Sequence, residues 1–206
     1  MSTITSQQAN QLIKDQCAVW EQAANNFEAL KTVKVKTLDV DGMHIKVQFN
    51  PARIVSSAAK VDAKSLKERK CFLCEANRPA VQTGLLWGDN DKYIVLINPF
   101  PIFPRHLTIP DNRHVDQLVA DRAKDMMASA PDHMHFQAGN SDFLTLGDDL
   151  EDAELKTIIE DEGATLALVD TLPLKIFVID AEDSEAGARL FGRLYSAIPV
   201  PEGERE

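Results

Sequence analysis

Basic residues are in short supply. The chain sets 22 lysines and arginines against 32 aspartates and glutamates, a formal net charge of −10 over 206 residues. That argues against a nucleic-acid groove as the main business, because such proteins carry a basic face. Small phosphorylated ligands remain open, since a few local Arg and Lys can serve them inside an acidic protein. Cysteine is scarce too, and three of them cannot build a disulfide framework. No apolar run approaches the roughly 18–20 residues of a membrane-spanning helix. The N-terminal "MSTITSQQANQLIKDQ" has neither the basic start nor the apolar core of a signal peptide. The expectation is a soluble cytoplasmic protein with no nucleic-acid or membrane partner. Histidine is rare as well, five in all, yet two fall within three residues in "APDHMHFQAG", 130–139.

An apolar fraction of 44% and a charged fraction of 26% are those of a globular chain, long enough for a sizeable core. Three- and four-residue apolar spacing predicts a helix over 5–30, with Thr5 or Ser6 as cap. "VKVKTLDVDGMHIKVQFN" alternates on either side of Asp41-Gly42, a hairpin signal, and His44 reads as a residue of its second strand. "KYIVLINPFPIFPRHLTIP" reads as two strands, 93–97 and 107–109, split by a proline-rich turn. "DNRHVDQLVADRAKDMM" resumes helical spacing from Asp111 or Asn112, and "HMHFQAG" alternates as a strand. "EDAELKTIIEDEG" reads as a charged helix ended by Gly163. "LPLKIFVIDA" reads as a strand and "SEAGARLFGRLYSAI" as a last amphipathic helix. Strands outnumber crossover helices, so the expected class is α+β with a mostly antiparallel sheet flanked by helices.

In a strand, positions i, i+2 and i+4 share a face. His133, His135 and Gln137 therefore form one polar line, with Met134 and Phe136 turned to the core. Elsewhere Cys71 and Cys74 make a C-x-x-C in a loop. A redox pair wants a strand–CxxC–helix context, and "CFLCEANRPAVQTG" follows a polar loop instead, so a metal is the preferred reading over a thiol oxidoreductase. A closed tetrahedral site would need two histidines besides. The candidates are His106, His114, His133 and His135, and spacing alone leaves the choice open.

"INPFPIFPRHLTIPDNRH" followed by "SAPDHMHFQA" resembles the nucleotidyltransferase branch of the histidine-triad superfamily. That branch holds the galactose-1-phosphate uridylyltransferases, diadenosine tetraphosphate phosphorylases and GDP-L-galactose phosphorylases. The resemblance covers about residues 45–145 and implies a HIT-like fold. It implies a nucleotidyltransferase or phosphorylase acting on a nucleoside diphosphate sugar or dinucleoside polyphosphate, with phosphate or a sugar 1-phosphate as acceptor. His135 matches the nucleophile that attacks an α-phosphate, a step that predicts ping-pong kinetics. Gln137 stands where hydrolases of the superfamily carry a third histidine. It can hold phosphoryl oxygens but protonates a leaving group poorly, which suits transfer. Cys71, Cys74, His114 and His133 match the ligands of a structural Zn2+, with His106 the alternative to His114. Asn98 and His106 match residues lining the nucleotide, Arg53 and Lys60 match basic groups near phosphates, and Ser129 resembles the serine before the histidines.

The resemblance further implies one catalytic domain over 1–198, with the N-terminal helix and hairpin, a zinc loop around 71–74 and a nucleotide site over 98–139. The tail 199–206 reads as a linker towards a second half, and a homodimer is compatible. Relatives place a strand and a glycine-rich turn before the histidine motif. Here "KDMM" runs straight into "ASAPDH", so residues are expected to be missing between Met127 and Ala128. The alternative function is a zinc-stabilised nucleotide-binding module without turnover.

Overall fold

The computed structural model describes residues 4–53, 70–116 and 133–199. Lys60, Ser129 and the Met127–Ala128 junction lie outside the described residues. The chain is mixed helix and antiparallel sheet, and its described residues divide into two compact units: 4–35, 48–53, 70–116 and 133–143 in the first, and 36–47 and 144–199 in the second. No described helix is long and apolar enough to cross a membrane.

In the first unit Thr5 caps α1 (Ser6–Val19). Its hydroxyl accepts the Gln8 N–H at 3.2 Å while Gln8 Oε1 accepts the Thr5 N–H at 2.9 Å, a reciprocal capping box. The single helix expected over 5–30 is instead broken at Trp20, which adopts φ −120°, ψ 97° and starts α2 (Glu21–Ala29). The break lets both segments reach the core. Leu12, Trp20 and Ala23 pack with Val95, Ile97 and Leu107, and periodicity alone cannot register a one-residue interruption whose side chain stays buried. Gln16 is buried in α1 with its amide satisfied. It donates to Val81 O and Thr83 Oγ1 and accepts the Thr83 N–H, as a buried polar group requires.

Those helices cover a four-stranded antiparallel sheet in the order β3 (Leu85–Trp87), β4 (Tyr93–Ile97), β5 (Leu107–Pro110) and β6 (His135–Ala138). β4 and β5 fall where alternation places them, but the strand expected over 133–139 begins only at His135, because Met134 pairs with Val115 O and the Asp111 N–H instead. β6 is the edge of this sheet among the described residues. The register sets Thr108 opposite Gln137 and Pro110 opposite His135. The helix expected to begin at Asp111 or Asn112 is absent from 111–116. Asp111 instead bridges to Tyr93, and its N–H donates to Met134 O. The continuation of that expected helix lies outside the described residues.

A separate two-stranded sheet joins β1 (Lys34–Val40) to β2 (Met43–Phe49). Its turn residues Asp41 and Gly42 both take positive φ, 48° and 84°, as a two-residue hairpin turn demands. In the second unit α3 (Leu146–Glu151) precedes the antiparallel strands β7 (Lys156–Asp161), β8 (Ala164–Val169) and β9 (Ile176–Ala181). β7 overturns the helix expected over 151–163. Thr157, Ile158 and Ile159 are β-branched, and Gly163 at φ 72° closes a hairpin rather than a helix, so pairing with β8 outweighs the charged pattern. α4 (Ser184–Ala197) starts on Asp183, whose carboxylate accepts the Glu185 and Ala186 N–H groups, and lays Ala186 and Leu190 on Ala164 and Leu166.

His44 sits in β2, and Asp149 grips it twice. Asp149 Oδ2 accepts the His44 N–H at 2.9 Å and Oδ1 accepts its ring Nδ1–H at 2.6 Å, while the Thr145 hydroxyl donates to His44 O. The contact raises the His44 pKa and lowers that of Asp149, with Asp39 and Asp148 adding to the pull on His44. A raised histidine contributes stability below its ordinary pKa and loses it as pH climbs through the folded value; a lowered carboxylate contributes above its ordinary pKa and loses it as pH falls. The pair is therefore strongest between about pH 4 and 6.5. Urea midpoints of the wild type should exceed those of Asp149→Asn at about pH 5–6 and lose part of that margin above about pH 7. A margin that grew with pH would contradict the assignment.

Candidate functional site

The turn between β4 and β5 is rich in proline, which removes backbone N–H donors from it. Side-chain amides supply donors instead: Asn26 to Pro99 O, Gln48 to Ile102 O and Asn50 to Pro101 O. Asn98 closes the turn at its base. Its N–H donates to His106 O at 3.0 Å, its Oδ1 accepts the Phe100 N–H, and its amide donates to Thr108 Oγ1. This frame fixes His106, which is buried. His106 Nδ1 accepts the Ile102 N–H, so Nε2 carries the proton and donates to Gln137 Oε1 at 2.8 Å. Burial lowers the His106 pKa, the Gln137 contact opposes that, and the nearby charge of Arg53 adds to it. The ring is held neutral, with its tautomer set by both partners.

Phe103 holds the same turn down. Its ring lies 4.5 Å from the His106 ring and 4.4 Å from that of Phe143, and a Cβ added at Gly139 would fall 1.7 Å from Phe103 Cε2. Glycine after β6 is thus a matter of space. Gly139→Ala should push Phe103 off the strand end and cost about 1–3 kcal/mol, read as a lower urea midpoint. Phe103→Ala in the same chain should recover part of that loss, and no recovery would place the strain elsewhere.

Four side chains from three stretches of sequence converge beside this frame. Cys71, Cys74, His114 and His133 bring their ligand atoms within 4.8 Å of one another. Cys71 Sγ lies 3.2 Å and Cys74 Sγ 3.6 Å from His133 Nδ1; Cys74 Sγ lies 3.2 Å from His114 Nδ1, and the two Nδ1 atoms are 3.2 Å apart. A tetrahedral ion with bonds of about 2.3 Å to sulfur and 2.0–2.1 Å to nitrogen has such edges, roughly 3.3–3.6 Å. The cysteine loop turns tightly, with Cys74 N–H on Cys71 O and the Asn77 amide donating to Cys71 O. His133 Nε2 donates to Asp111 O at 2.8 Å, which leaves the Nδ1 lone pair facing the cluster, the outer-shell device of metal-bound histidines. Burial also lowers the His133 pKa, so its ring is neutral, as a ligand must be. The donor set and the edges fit a metal ion.

His135 follows two residues later. It is buried, and its Nδ1–H donates to His133 O at 2.9 Å. The tautomer so fixed puts the lone pair on Nε2. One residue thus serves both places, with the His133 ring facing the Cys71, Cys74 and His114 side chains and its carbonyl holding His135.

The structure brings together the four expected metal ligands, and separately Asn98, His106 and Gln137. It sets His106 in the turn rather than among the ligands. Arg53 is half-buried and close enough for its charge to act on His106. Three parts escaped the sequence. Asp111 acts through its backbone carbonyl, which has no sequence signature, and Phe103 reads only as one more apolar residue of a turn. Gly139, directly after the histidine motif, was the available signal for a close approach.

A family described as Domain of unknown function (DUF4922) matches residues 12–128, more than half of the chain. Searches of the curated proteins and of the solved structures returned no match.

Proposed function

We propose that this chain, which belongs to the DUF4922 family, is a nucleotidyltransferase or phosphorylase of the histidine-triad type. Its substrate class is a nucleoside diphosphate sugar or a dinucleoside polyphosphate. The reading is supported above all by His135, whose Nδ1–H on His133 O leaves the lone pair of a nucleophile on Nε2. Nε2 attacks the α-phosphorus, the P–O bond to the leaving sugar phosphate or polyphosphate breaks, and a phosphoramidate remains on the ring. Phosphate or a sugar 1-phosphate then attacks that phosphorus, the P–N bond breaks, and the nucleotide leaves on the acceptor. Gln137, with its Oε1 held by His106, donates through its amino group to the phosphoryl oxygens. Having no titratable proton, it favours transfer over hydrolysis. Arg53, beside His106, supplies positive charge for the phosphates.

In this reading the four-stranded sheet is HIT-like, the ion among Cys71, Cys74, His114 and His133 is zinc, and the protein works in the cytoplasm. Zinc here is structural, since all four positions are protein atoms. The burial of His135 favours a second reading, a zinc-stabilised nucleotide-binding module without turnover. A thermal-shift screen of nucleoside diphosphate sugars and dinucleoside tetraphosphates, followed by product analysis in phosphate, separates the two. Saturating ligand at about 100 times Kd adds about 2.7 kcal/mol under either reading. Nucleoside diphosphate released only with phosphate present supports the transferase; stabilisation without product supports the module.

A further inference from the structure

We propose that Cys71 and Cys74 form a hydroperoxide-sensitive switch whose oxidation expels the metal and unlocks the strand that carries His135. The inference rests on the reading that these two residues, with His114 and His133, hold zinc. Cys74 is partly exposed and Cys71 the more buried of the two, so an oxidant reaches the Cys74 sulfur, which metal binding keeps as a thiolate. They are separated by two residues in one tight turn, with both Sγ atoms inside the same 4.8 Å cluster, and the second sulfur stands ready to resolve the first. Cys17 is the internal contrast. It sits in α1, away from this cluster, and burial raises its thiol pKa.

The step balances without further reagents. One thiolate attacks a peroxide oxygen, the O–O bond breaks, and the sulfur becomes a sulfenic acid as hydroxide leaves. The second thiolate attacks that sulfur, an S–S bond forms, and a second hydroxide departs. Two electrons pass from the two sulfurs to the peroxide, two protons from solvent turn the hydroxides into two waters, and the metal leaves as a divalent cation. A small dithiol reverses the step by becoming a disulfide itself.

What the metal holds makes this a switch rather than damage. β6 is only four residues long and is the edge of its sheet among the described residues, paired on one side with β5. Its entry is pinned by the His133 ring, by the Met134 N–H on Val115 O and by the Asp111 N–H on Met134 O. Without the metal, the His133 ring is left with its contact to Asp111 O among those of the described residues, and the carbonyl that orients His135 moves with it.

The test uses the full chain carrying one equivalent of zinc, treated with one equivalent of hydrogen peroxide. Released metal is read with a chromophoric chelator, the disulfide by peptide mapping, and the strand by amide hydrogen exchange. The expected result is one zinc released per Cys71–Cys74 disulfide, exchange at Met134 and Asp111 faster by about tenfold or more, and reversal by dithiothreitol with added zinc. Cys17→Ser should respond identically. Zinc retained while peroxide is consumed, or a disulfide formed with no change in exchange at those amides, would overturn the switch and leave the transferase reading standing. Protein that never holds zinc would overturn the metal reading and the switch together.

Discussion

His135→Ala is expected to lower nucleotidyl transfer by more than about 10^4-fold, the scale seen when a covalent nucleophile is removed. The fold should survive, because β6 pairs with β5 through its backbone, and the ring's hydrogen bond to His133 O is worth about 1 kcal/mol. Circular dichroism and bound metal should match the wild type, and the nucleotide should still shift the melting temperature. That combination isolates chemistry from folding. Gln137→Glu keeps the size and adds a negative charge facing the phosphates, so it should weaken binding and transfer together. If His135→Ala kept turnover near the wild-type level, the nucleophile would lie elsewhere.

The largest effect on stability should come from the metal. Structural zinc sites contribute apparent binding free energies of about 10–16 kcal/mol in isolated peptides, comparable with the whole stability of a domain, about 5–15 kcal/mol. Cys74→Ser removes one of four donors and should abolish stoichiometric metal. His133→Ala removes a donor and also the contact with Asp111 O. Either variant, or the wild type treated with a strong chelator, should melt at least about 10 °C lower. The loss should be recovered by added zinc in the chelated wild type but not in the variants. A wild type indifferent to chelation, with no metal by elemental analysis, would remove the ion from the account.

Local pattern carried the sequence reading where a strand is half-buried and bounded by turn residues. β4 and the Asp41-Gly42 hairpin declare themselves through alternation and through residues that tolerate positive φ. The reading failed where a tertiary partner decided the outcome. Residues 156–161 carry enough charge to mimic a surface helix, and only the mate β8 makes them a strand. Trp20 breaks a continuous helical pattern because burying its indole outweighs the hydrogen bonds lost at the bend. The site divides in the same way. Cys71, Cys74 and the paired histidines stand out by residue type, because few other roles need those side chains at that spacing. The choice of His114 over His106 came from resemblance, and its geometric basis is the Ile102 N–H and the Gln137 amide that occupy the His106 ring. The link through His133, ring to the cluster and carbonyl to His135, is a property of backbone geometry and has no residue type to announce it.

The covalent step is tested most directly by intact-mass measurement of the wild-type protein after incubation with its nucleotide substrate in the absence of acceptor. The account predicts a mass gain of one nucleoside monophosphate per chain, lost in acid, stable in base and mapped to His135. Adding phosphate or a sugar 1-phosphate should discharge it. Turnover with no such adduct, or an adduct that persists in His135→Ala, would contradict it.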